Sequence, residues 1–132
     1  MKHKTIPVEG CVFPSTLQTI SVVEDPKYGS AHTYFVLPLH ETIKHNDKYT
    51  PVYADDVITI QFVQRLEDGQ WISGIQDEQL AYIMLDRTKK LNEKSPSAWN
   101  KIKIKALELF LYACKFRIKE RIANNKFTQL VK

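Results

Sequence analysis

The stretch from Gly74 to Lys126 constrains this chain most, because its periodicity fits two helices joined by a turn and little else. Leu80, Ile83, Met84, Arg87 and Leu91 recur at helical spacing, which puts them on one face with Arg87 among apolar neighbours. Asp77 and Glu78 lie where a first helix would begin, and negative charge is favoured at that end of the helix dipole. The segment Asn92–Ser97 stops that helix. Pro96 cannot sit inside a helix but suits the opening of the next, with Ser95 or Ser97 as the cap. A second helix is expected from Ala98 to Asn124, about 40 Å long at the usual rise.

That second helix is apolar around nearly its whole circumference at Leu107, Leu109, Phe110, Leu111, Tyr112, Ala113 and Cys114. A helix of this kind must be covered on more than one side. The first helix covers one side and a sheet would cover a second. The remainder calls for another copy of the chain, so a homo-oligomer, at least a dimer, is expected.

At 132 residues the chain is expected to form a single domain, with a β region over 17–72 and a helical hairpin over 77–125. Leu17–Val23 alternates and is β-branched, and Thr33–Leu37 returns after the turn Glu24–His32, so these two make a hairpin. Val57–Gln64 is the clearest strand; its more apolar face, Ile58, Ile60 and Phe62 with Gln64, is expected to pack on the helices. Trp71 and Ile72 either add a short strand or pack beside the first helix. A short strand near Gly10–Phe13 is possible, and His40–Asp55 reads as a long polar connection. The fold class is therefore α+β, a small antiparallel sheet packed on a two-helix hairpin with one long helix.

Charge is divided unevenly. From Arg87 onward there are thirteen Lys/Arg against three Asp/Glu, and before it six against twelve, within a net charge of +4. A strongly basic helical half implies an anionic partner, with phosphates the first candidate. No apolar run is long enough to span a membrane, the amino terminus has no signal-peptide core, and Cys11 and Cys114 read as reduced thiols, so a cytoplasmic location is expected. No Gly-rich phosphate loop, Cys-x-x-Cys pair or His-Glu-x-x-His spacing occurs. The four histidines precede the helices without ligand-spaced partners, and Asp55/Asp56 and Glu67/Asp68 are adjacent pairs unsuited to shared acid–base work. Neither a metal, a cofactor nor a catalytic residue is expected, and the chain is not read as an enzyme.

Several pieces, taken in order, carry a resemblance. The turn and strand Tyr28-Gly29-Ser30-Ala31-His32-Thr33-Tyr34 precede Val57–Phe62, then Gly74-Ile75-Gln76-Asp77-Glu78-Gln79-Leu80 and Leu85-Asp86-Arg87. Asn100 opens the last helix and Arg117-Ile118-Lys119-Glu120-Arg121 lies near its end. This series resembles the phage anti-defence sponges of the Thoeris type-one group, which share a helical hairpin with the type-two anti-CBASS proteins. The chain departs from their pattern at 63–71 and 97–99 and lacks their Arg-Gly-Val-Glu-Gly tail, as a divergent member would. The resemblance implies a protein that binds cyclic nucleotide signals, cyclic ADP-ribose isomers of Thoeris or CBASS cyclic oligonucleotides, and holds them uncleaved. Asn100, Arg117 and Arg121, with Asp86 and Arg87, occupy the matching positions.

The residues themselves leave alternatives open. Arg117 and Arg121 stand one turn apart, and two guanidinium forks at that spacing suit a pyrophosphate; the plainer reading is a pair of surface arginines bonded to Glu120 or to an acid across an interface. Asn100 either bonds a ribose or base edge or caps its helix. Arg87 reads as structural, paired with Asp86 or Glu108. Trp99, Phe116 and Phe127 either stack on an adenine or pack in a core or interface. The runner-up functions are a small nucleic-acid-binding protein, disfavoured because the lysines spread around the helix, and an adaptor for another protein.

Overall fold

In the computed structural model, residues 4–124 are described. They are α+β: eight strands in the first 72 residues, then two helices. The chain divides into two compact units, one running to Leu66 and taking in Trp71–Gly74, the other holding Glu67–Gln70 and the described residues from Ile75 on.

The β unit is built on an antiparallel sheet of β1 (Thr5–Pro7), β2 (Ile20–Val23), β3 (Thr33–Val36) and β6 (Ile58–Gln61), in the spatial order β1-β2-β3-β6. Register places Ile6, Val22, Tyr34 and Ile60 in one cross-strand row and Ile20, Val36 and Ile58 in another. Since alternate residues share a face, these rows form one apolar face, the one that the alternation in 57–64 picks out on β6. Val22 is buried there at 5% exposure, and the Phe62 ring meets Tyr34 edge-on at 5.7 Å. The β2–β3 hairpin forms as expected. Its loop is a 3-10 turn, Pro26–Tyr28, closed by Gly29 at φ 83°, where a side chain would be strained.

Three expectations for this half need correction. His40–Asp55 is not a connection but a hairpin of β4 (Leu39–His45) and β5 (Lys48–Tyr53). Asn46 and Asp47 both take positive φ, 49° and 63°, as a two-residue primed turn requires. The amino-terminal strand is Thr5–Pro7, not Gly10–Phe13, and it lies at the sheet edge, where a proline removes no needed donor. The long strand at 57–64 is also divided: Gln64–Arg65 forms β7, which pairs with β8 (Trp71–Ile72), with Arg65 over the Trp71 ring at 5.7 Å.

The helical unit follows the sequence closely. α1 spans Asp77–Lys94 and α2 spans Ala98–Ala123. The Gln76 N–H donates to the Gln79 side chain at 2.9 Å, the return bond of a capping box. Ser97 Oγ accepts from the Asn100 N–H at 3.0 Å and is the N-cap of α2. Ser97→Ala is therefore expected to cost about 1 kcal/mol of stability, measured as a lower urea midpoint with an unchanged slope.

The stripe of α1 that packs on α2 is not the one with the most apolar sequence. Ala81 and Leu85 are buried at 5% and 7% exposure, while Ile83 and Met84, on the expected face, stay 64% and 48% exposed. Ala81 is buried in the seam despite its small side chain, which hydrophobicity alone does not reveal. On α2 the half-buried positions Ile104, Leu107, Leu111 and Cys114 recur at three and four, the seam of a two-helix coil. No residue of α2 is fully buried; Trp99 is 74% and Leu109 68% exposed. Among the described residues no helix is long and apolar enough to cross a membrane.

Candidate functional site

An antiparallel helix pair brings the start of one helix beside the end of the other. Here that meeting forms a groove of about 390 Å³, lined by Asp77 and Glu78 from the first turn of α1 and by Phe110, Ala113, Cys114, Arg117, Ile118 and Arg121 of α2. The α2 residues recur at three and four along one face, so their spacing alone groups them. Phe110 and Ile118 supply apolar walls. Arg121 is half-buried and Arg117 exposed. Among the described residues the lining carries two guanidinium groups and two carboxylates, so its formal charge is balanced.

Cys114 lies between these charges. Burial pushes its thiol pKa up, Glu78 and Asp77 push it further, and Arg117 pulls it back more weakly. The thiol thus stays protonated at neutral pH and is a poor nucleophile.

The other candidate residues lie elsewhere. Asp86 bonds Lys90 at 2.9 Å one turn on, and this bond raises the lysine pKa. Arg87, next to Asp86, is exposed on α1 and lines no part of the groove. Trp99 and Asn100 are at the opposite end of α2. Asn100 is tied into the interhelical turn, where its Nδ2 donates to the Ser95 carbonyl at a long 3.4 Å beside the Ser97 cap. Phe116 packs against Tyr112 with ring centres 4.5 Å apart, and Lys119 stands over its face at 5.8 Å. Phe127 lies outside the described residues.

Sequence reasoning thus found the two arginines of the groove and missed Phe110, Cys114 and Ile118 as its walls. It also read Asp77 and Glu78 only as dipole charges. Their place opposite Arg117 and Arg121 follows once the two helices are laid antiparallel with a three-residue turn between them. A second, more open groove of about 510 Å³ lies in the β unit between Phe13, Pro14, Thr42, Lys48 and Tyr49. Among the described residues Lys48 is its only charged group, so it lacks the pair of donors that the arginines provide. Among the described residues no group of three or more His, Cys, Asp or Glu could hold a metal ion.

No protein-family model matches the chain, and no curated protein matches it at a significant level.

Proposed function

We propose that this protein binds cyclic nucleotide messengers and holds them chemically unchanged, as an immune-evasion sponge does. The observation that carries this reading is the pair Arg117 and Arg121, one turn apart and lining one groove. A guanidinium fork donates to two phosphate oxygens in its plane, so two forks carried on Cβ atoms about 6 Å apart can converge, one on each phosphate of a pyrophosphate. A volume of about 390 Å³ is in the range of small-ligand sites. The resemblance in the order of motifs from Tyr28 to Asn125 points to the same ligand class, cyclic ADP-ribose isomers first and CBASS cyclic oligonucleotides second.

Self-association belongs to this reading. Asn100 and Arg117 are 17 residues apart on one helix, about 25 Å at the usual rise. One compact ligand touches both only if they come from two chains packed antiparallel. The exposed Trp99, Ile102, Leu109 and Phe116 give the long helix an apolar stripe for such a partner.

The test is chemical recovery. The pure protein is incubated with cyclic ADP-ribose isomers and with cyclic di- and trinucleotides, desalted, heated, and the released material is weighed by mass spectrometry. Recovery of a bound compound at its original mass is expected. A linearised or hydrolysed product formed with turnover, or no retention of any compound, would overturn the reading.

A further inference from the structure

We propose that Asp77 and Glu78 set the selectivity of the Arg117–Arg121 groove, admitting phosphate ligands that also carry free hydroxyl groups and disfavouring those that offer phosphate alone. This rests on the phosphate-holding role given to the two arginines above. The carboxylates line the same groove as the guanidinium groups, in equal number, so a bare polyanion entering it meets no net positive charge. Whatever sits on the arginines also strips water from Asp77 and Glu78. A carboxylate that loses water without gaining a donor is costly. A ribose diol supplies such donors at a short distance from its phosphates; inorganic pyrophosphate does not.

The local structure keeps the two roles separable. The α1 cap is made by Gln76 and Gln79, not by the acids. Asp77 and Glu78 sit in the first turn outside that cap, so alanine there costs only their favourable interaction with the helix dipole. Their substitution therefore changes the groove more than the helix.

The experiment titrates the full-length chain with inorganic pyrophosphate, ADP, and the ADP analogue lacking both ribose hydroxyls. The wild type is expected to prefer ADP over the analogue by about tenfold, the effect of one charge-assisted hydrogen bond. In Asp77→Ala/Glu78→Ala that preference should fall below about twofold, while pyrophosphate binds several-fold more tightly because two like charges are gone. An Asp77→Asn/Glu78→Gln variant should tighten pyrophosphate in the same way but keep part of the diol preference, since its amide oxygens still accept. If the alanine variant keeps the wild-type order of ligands and does not gain pyrophosphate affinity, the selectivity role is wrong. If none of the probes binds the wild type, or if Arg117→Ala leaves their binding unchanged, the phosphate role of the arginines fails, and this proposal falls with it.

Discussion

Gly74→Ala is expected to destabilise the β unit by about 3 kcal/mol or more, an overpacking cost at the high end of its range. A Cβ built at Gly74 would overlap the Gln61 carbonyl oxygen and the Phe62 carbonyl carbon and come within 2.6 Å of the Phe62–Val63 peptide nitrogen. All three are backbone atoms at the end of β6, so no side chain can rotate away to make room. They are also held in place: the Phe62 N–H donates to the His32 carbonyl at 2.8 Å, and Gln61 pairs with Thr33 across the β3–β6 ladder. Relief requires that the strand end move and that those bonds lengthen. The measurement is a thermal melt, in which a fall of roughly 10 °C or more is expected for a chain of this size. Gly69→Ala is the useful comparison. That position has φ 87° but nothing within 4 Å of an added Cβ, so it carries a conformational cost of about 1 kcal/mol without a clash.

The helical half was legible because each helix has an inner face and a capped end. Gln76-Asp77-Glu78-Gln79 and Ser95-Pro96-Ser97 mark the boundaries chemically, and the observed helices start at Asp77 and Ala98. The β4–β5 hairpin was illegible for the opposite reason. Every residue of β4 is exposed, so the strand has no inward face and no alternation to betray it. Only the turn chemistry at Asn46-Asp47 signalled it, and that signal is weaker than the usual Asn-Gly. The packing stripe of α1 was misread because Ala81, which makes the seam, is less apolar than its neighbours Ile83 and Met84.

The candidate site shows the same division. Arg117 and Arg121 lie four residues apart on one helix, so local geometry alone joins them. Asp77 and Glu78 are some forty residues earlier, and only the antiparallel return of α2 brings them to the same groove. Arg87 fell out of the site because the face it occupies on α1 is not the one turned to α2. Asn100 kept a role in the interhelical turn, which is sufficient reason for an amide at that position in a single chain.

Arg117→Ala and Arg121→Ala are each expected to weaken binding of the preferred cyclic nucleotide by about 1.5–3 kcal/mol, the loss of a charge-assisted hydrogen-bond pair. That is roughly ten- to hundredfold in affinity. The larger figure is favoured by the groove itself. Removing one guanidinium leaves two carboxylates against one cation among the described lining residues, so the groove's formal charge turns negative as well as losing a donor. Stability should change little for Arg117→Ala, because that residue is exposed. The most direct measurement is a calorimetric titration of wild type and the Arg117→Ala/Arg121→Ala double variant with a cyclic ADP-ribose isomer retained by the wild type, at one fixed salt concentration. A saturable isotherm for the wild type and none for the folded double variant is the predicted result; equal affinity in the two proteins would contradict it.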